Sequence, residues 1–239
     1  MTGPEAPKPA GEPRLSRSEE DYLGDIYRLQ AGGEPVKTGD LAQRLGVSSA
    51  STTAMFKKLA RDGYLHYKEY AGATLTGAGE RAALGVIRRH RLTERFLTDL
   101  LGIPWERVDA LAHRMEHALP DEVVDALEQL LGDPETCPHG YPIPAKDGQV
   151  APGSACDLTG LATGEQARVS EVDEADPAML LYLGEQRLVP GTCVAVTQVN
   201  PLDGTISLRF AGRDLVVGPR IAQAVRVTRI AADGGRPVE

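Results

Sequence analysis

The sequence predicts a mostly α N-terminal part followed by a small all-β barrel, and three observations predict it. Apolar residues recur at helical spacing from about 15 to 62 and again from 77 to 131. Beyond 160 the pattern changes to short alternating runs parted by turn residues. Between them lies a proline- and glycine-rich stretch, 133 to 157, with no usable period, which reads as a linker.

Residues 1–14, "MTGPEAPKPAGEPR", have the composition of a disordered arm and no apolar core of a secretory signal. Residues 15 to 30, "LSRSEEDYLGDIYRLQ", read as a helix. Ser16 followed by Glu19 is a capping-box pattern, and Tyr22, Leu23, Ile26, Tyr27 and Leu29 form the apolar stripe. "AGGEP" ends it. A short amphipathic helix follows from about 38 to 45, carried by Leu41, Ala42 and Leu45. Gly46 then suits a corner that needs positive φ, and Val47 can plug it. Ser48 or Ser49 caps a second helix running to about Asp62. Ala54, Met55, Leu59 and Phe56 are its inward candidates. "YLHYKEYAGATLT", 64 to 76, reads as a β-hairpin turning near Ala71 and Gly72. Helix, corner, helix and hairpin in that order make a winged helix-turn-helix.

Residues 77 to 101 read as one long helix. Pro104 opens another, and Pro120 with Asp121 and Glu122 a third, through proline at the first helical position and acids in the first turn. The last two helices carry more leucine and valine than so short a hairpin can bury, which points to a second copy of the chain. In the C-terminal part, "EQARVSEV", "TCVAVTQVN", "TISLRF", "RDLVVGP" and "AQAVRVTRI" are strands, and "ADPAMLLYLGEQ" is a helical turn.

Bulk numbers exclude some classes. No run of eighteen apolar residues exists, so no membrane span is expected. Three scattered cysteines argue against a disulfide framework and fit a reducing cytoplasm. The net charge of −8 hides a local excess of bases. From Lys37 to Thr76 six bases (Lys37, Arg44, Lys57, Lys58, Arg61, Lys68) stand against three acids (Asp40, Asp62, Glu69), which is compatible with double-stranded DNA as partner.

The chemistry concentrates in "LAHRMEH". His113, Glu116 and His117, spaced i, i+3, i+4, would share one helix face. His90 and Glu94 lie i, i+4 on the preceding helix, Asp109 lies one turn before His113, and Asp21 lies on the first helix. So many hard ligands exceed what solvation needs, and a divalent metal is the expectation. H-x-x-E-H is also a zinc-hydrolase pattern, with Glu116 as general base, but no domain-sized stretch remains to build a cleft around it.

The succession of helix, winged helix, "RRHRLTERFLTDLLG", "HRMEH", "DEV", "GYPIP" and barrel resembles the metal-dependent repressors of the diphtheria toxin repressor and manganese transport regulator family. Its further marks are "EDYLGDIYRL" and "RDGYL". The resemblance implies a winged-helix DNA-binding domain at 15–77, a helical metal-binding and dimerisation domain at 78–144, a linker at 145–159, an SH3-like (FeoA-like) barrel at 160–232 and a tail at 233–239. It implies a primary site of Asp21, His113, Glu116 and His117. The first of these is Met in iron-type members and Asp in manganese-type ones. The position of His113 is Cys or Glu respectively, and this chain has neither. A second site would use His90, Glu94 and Asp109, with Asp176 and Met179 near the positions of the iron type's barrel ligands. A manganese-type acid is absent, since Gly24 occupies its place. Cys137 and His139 in "TCPHG" read as linker rather than ligands beside the neighbouring prolines.

Carboxylate and imidazole donors without sulfur suit Mn(II) or Fe(II), and Asp21 in place of a thioether favours Mn(II); Zn(II), Co(II) and Ni(II) should still bind in vitro. A metal joining Asp21 to the 113–117 ligands would fix the orientation of two recognition helices in a homodimer on a palindromic operator. Repression of metal-uptake genes is what the resemblance implies. Lys37, Lys57, Lys58 and Lys68 would hold phosphates, while Ser48, Ser49, Ser51, Thr52 and Thr53 would face the bases. The other readings are the zinc hydrolase and a winged-helix regulator sensing a small organic ligand.

Overall fold

The computed structural model describes residues 15–30, 33–151, 153 and 156–230. The expected arm and tail lie outside them. The chain divides into two compact units, one up to Val86 and one from Ile87 onward.

In the first unit, α1 (Arg17–Leu29) starts at the expected box: Ser16 accepts from the Glu19 amide, and the Glu19 side chain accepts from the Ser16 amide at 2.8 Å. Tyr22, Leu23 and Ile26 fill the core from this helix. α2 (Thr38–Leu45) ends on Gly46 at φ 65, as the corner requires. Val47 does not plug the corner; it stays 40% exposed. α3 (Ser49–Arg61) is capped by Ser48. Its inward face is Thr52, Phe56 and Leu59 with Met55 packed beside them, so of the expected inward residues only Ala54 points out. The ring of Phe56 packs 5.4 Å from that of Tyr67. Strands β1 (Leu65–Lys68) and β2 (Gly72–Leu75) form the wing, and Val36 bridges to Ala73 on its open side.

Glu19 adds a tether between helices. Lys58 Nζ on α3 lies 2.7 Å from its carboxylate. Burial pushes this carboxyl up, but Lys58 and Ser16 more than reverse that and hold it at about 2. A depressed carboxyl contributes stability above its ordinary pKa near 4.5 and loses it as pH falls toward 2. Glu19→Gln should therefore cost about 1–2 kcal/mol at pH 7. The gap between the urea midpoints of variant and parent should narrow steadily from about pH 5 toward pH 2; an undiminished gap at the acid end would refute the ion pair's role.

The second unit takes up α4 (Gly77–Arg95) from Ile87 onward, and the helix ends in one π-helical turn, Phe96–Leu100, rather than running on as regular α-helix. α5 (Trp105–Met115) also stops early: Glu116–Ala118 tighten into a 3-10 turn before α6 (Asp121–Leu130). The sheet that follows is antiparallel, in the order β3-β8-β4-β5-β6-β7, from β3 (Cys156–Asp157), β4 (Gln166–Val172), β5 (Cys193–Val199), β6 (Ile206–Phe210), β7 (Arg213–Val217) and β8 (Val225–Arg229). α7 (Pro177–Glu185) and α8 (Pro219–Ala224) close over its core of Val169, Leu183, Val196, Leu208 and Val227. Trp105 packs on this core beside Gly184, where a Cβ would come within 2.9 Å of the indole nitrogen. Among the described residues no helix is long and apolar enough to cross a membrane.

The proline-rich stretch, expected as a linker, is partly a folded strap. Its Thr136 bridges to Pro142, and Cys137 and His139 are fully buried. Gly140, at φ 92, presses its Cα against the Ser170 carbonyl of β4.

Candidate metal centre

α4 presents His90 and Glu94 one turn apart, and both are buried to within 3%. The 3-10 turn after α5 brings Glu116 inward. Its Oε2 lies 2.6 Å from His90 Nδ1. Its Oε1 lies 3.0 Å from His113 Nδ1 and 3.1 Å from His117 Nε2. The three residues of "HRMEH" thus meet at one carboxylate although the helix ends at Met115. Asp109 joins His90 at 3.2 Å on the ring's other nitrogen. Asp21 belongs to the first unit, half-buried on α1.

A second convergence was not anticipated. Ligand atoms of Glu94, Cys137, His139 and Glu174 lie within 4.8 Å of one another, beside the expected trio of His90, Glu94 and Asp109, whose ligand atoms lie equally close. His139 donates its Nε2–H to the Trp105 carbonyl at 2.9 Å. In the neutral ring that leaves Nδ1 as a lone pair, and it faces Glu94 at 3.1 Å and Glu174 at 3.4 Å. Neither Glu94 oxygen, nor His139 Nδ1, nor His90 Nε2 makes a well-aligned hydrogen bond, despite these short separations. Acceptors packed at 3 Å without an aligned proton between them are costly in a dry interior. A divalent cation is the species that satisfies all of them together, so the residues fit a metal.

The electrostatics agree. Burial works against a charged His90, yet Glu94, Asp109 and Glu116 raise its pKa well above the ordinary value. Burial likewise opposes a charged His139, and Cys137, Glu174 and Glu94 together raise it. Glu94 is pushed up by burial but brought far down by His90 and His139. Burial beside Glu94 pushes the Cys137 thiol up to about 11. These directions mean that the cluster draws in positive charge, whether a proton or a metal that replaces it.

The spacing of Cys137 and His139 was the available signal for two of these residues; Glu174 had none, because only the packing of strap on sheet brings it in. That packing includes the Val172 amide donating to the His139 carbonyl at 2.9 Å. Asp176, expected as a barrel ligand, is elsewhere: it caps α7 through the Ala178 and Met179 amides and pairs with Arg220 at 2.6 Å. Of the residues expected at DNA, Thr52 is fully buried with its hydroxyl on the Ser48 carbonyl, so it cannot read bases. Ser48, Ser49, Ser51, Lys57 and Lys68 are exposed, and Thr53 is half-buried. Lys58 is engaged with Glu19, and Lys37 donates to the Ala71 carbonyl at the wing tip, 3.1 Å away.

A winged helix-turn-helix, a helical segment dense in metal-ligating groups and a small antiparallel sheet together define a metal-responsive DNA-binding regulator. The chain belongs to the iron-dependent, or diphtheria toxin, repressor family. Residues 14–73 match the iron dependent repressor N-terminal DNA binding domain, residues 76–145 the iron dependent repressor metal binding and dimerisation domain, and residues 156–229 the FeoA domain. It is 32% identical over 229 residues to the iron-dependent repressor IdeR of Mycobacterium leprae, covering 90% of this chain and 99% of that one. It is 30% identical over 226 residues to the diphtheria toxin repressor of Corynebacterium efficiens, covering 90% and 97%. Among solved structures it resembles a manganese-dependent transcriptional repressor in complex with manganese, at TM-score 0.83 and 35% identity over 89% of this chain and 100% of that one. It also resembles ScaR with bound Cd2+, at TM-score 0.76 and 30% identity over 89% and 99%. The family is one of metal-dependent DNA-binding transcriptional repressors, which is not an enzyme class.

Proposed function

We propose that this chain is a Mn(II)-responsive repressor of metal-uptake genes that acts as a homodimer on a palindromic operator. The observation that carries the reading is the meeting of His113 and His117 at the one buried carboxylate of Glu116, a set of nitrogen and oxygen donors. Asp21, His113, Glu116 and His117 are the proposed primary ligands. Glu94, Cys137, His139 and Glu174 are the proposed second set, with His90 and Asp109 at its edge. A bound divalent ion supplies positive charge and fixed coordination directions to these side chains. Glu116 aligns His113 and His117, and His90 holds Glu116 from behind. His139 is oriented by the Trp105 carbonyl. The primary set, all oxygen and nitrogen, favours Mn(II) with Fe(II) next; the Cys137 sulfur makes the second set more accepting of Zn(II) and Co(II).

The test is fluorescence anisotropy on DNA from the chain's own promoter, with chelator against added Mn(II). Coupling of about 1–3 kcal/mol per ion corresponds to roughly 5- to 150-fold tighter binding. Equal affinity with and without metal would overturn the reading. At the DNA face, Lys57→Ala should weaken binding to all sequences alike and reduce the salt slope by about one. An unchanged slope in a salt titration removes Lys57 from the phosphates.

A further inference from the structure

Resting on the second ligand set just proposed, we infer that Arg91 and Arg95, with Arg88, form an arginine ladder that positions Cys137 and His139 before any ion arrives. The strap bearing those two residues has prolines at 138, 142 and 144, which have no N–H to give. Its internal backbone bonds are few: Cys137 to Tyr141, Gly140 to Cys137, and Ile143 to Glu135. Its other carbonyls need donors from outside: β4 serves that of His139, and α4 serves three more. Arg95 Nε donates to the Thr136 carbonyl at 2.6 Å, and its Nη2 reaches the Thr136 hydroxyl at 3.4 Å. Arg91 Nη1 donates to the Pro142 carbonyl, while its guanidinium lies 5.3 Å over the Tyr141 ring. Arg88 Nη1 donates to the Pro144 carbonyl at 2.8 Å, and its other arm pairs with Glu128.

Positions 88, 91 and 95 are spaced i, i+3, i+7 and share one helix face, next to the face that carries His90 and Glu94. The ladder grips the strap on both sides of its ligands: Thr136 precedes Cys137, and Pro142 and Pro144 follow His139. A guanidinium donating to a carbonyl forms a strong, directional bond, so the grip does not depend on metal.

A ladder that only contributed charge would act in the opposite sense. Removing a guanidinium near a cation site relieves repulsion and would tighten metal binding. Removing a positioning contact loosens it, typically by about 10- to 100-fold for groups that orient ligands. The sign of the change therefore separates the two roles.

The experiment is Co(II) titration of the full chain, read by thiolate-to-cobalt charge-transfer absorption. That band reports the Cys137 set and no sulfur-free site, and Cys137→Ser supplies the baseline. Arg91→Gln and Arg95→Gln should each weaken Co(II) binding in that band by 10-fold or more, with circular dichroism unchanged. Arg91→Lys and Arg95→Lys, which keep the charge but lose the fork, should remain weaker than the parent and carry the test if the glutamine variants fail to fold. Unchanged or tighter binding in these variants would overturn the ladder and leave the site standing. A parent protein without a Cys137-dependent band would overturn the site and the ladder with it.

Discussion

Asp21→Ala will bind operator DNA with one weak affinity, whether chelator or Mn(II) is present. Asp21 is the sole proposed primary ligand on the helix that opens the DNA-binding unit; the others follow α4. Without it an ion still has His113, Glu116 and His117, but it no longer ties the winged helix to them. The full metal response, roughly 5- to 150-fold per ion, should vanish. Size-exclusion chromatography should show the same oligomer as the parent. Asp25→Ala is the control. It lies on the same helix but is engaged with Arg28 and Arg44, so its loss should leave the metal response intact. Persistent Mn(II) stimulation in Asp21→Ala removes that residue from the switch.

Gly140→Ala is the substitution expected to cost most in stability. Its φ of 92 is a region that alanine avoids, and a Cβ there would sit 1.8 Å from the Ser170 carbonyl oxygen. Both neighbours are backbone, so neither can swing aside. Left-handed strain of about 1–2 kcal/mol and overpacking of about 1–3 kcal/mol together predict a loss of roughly 2–5 kcal/mol. The strap should lift from β4, breaking the bond between the His139 carbonyl and the Val172 amide and parting Glu174 from the other ligands. Gly132→Ala isolates the first contribution: φ is 75, but nothing lies within 4 Å of the new methyl. Its urea midpoint should fall only by the strain. Equal losses in the two variants would contradict the close approach at Ser170.

Much of the first unit was legible in sequence because local physics decides it. The Ser16–Glu19 box, the Gly46 corner and the wing all stand where the pattern puts them. On α3 the places of Thr52 and Ala54 were not legible, because Thr52 satisfies its hydroxyl within its own helix and then behaves as a small core residue, while Ala54 has no size to compete for the inside. In the second unit α4 to α7 and five strands followed from the sequence pattern, but α8, where strand was expected, and the end of α5 at Met115 did not. His113, Glu116 and His117 meet all the same, since a tightened turn also brings neighbours three apart together. The ligand set from the strap was hidden for a different reason. Cys137 and His139 sit among prolines that locally mean linker, and Glu174 lies 35 to 37 residues farther on. Only the folding of the sheet against the strap unites them. Asp176, two residues beyond Glu174, shows how small an offset separates a ligand from a helix cap.

Trp105 is the only tryptophan in the chain, and its ring stacks on His139 at 5.6 Å between centroids. The molecule thus carries a single indole, pressed against one candidate ligand. Its emission answers to the state of that imidazole, with no other indole to blur the signal. A paramagnetic ion arriving at His139 dims this light. Loading there can then be followed in real time on the unlabelled protein, apart from any event at the operator.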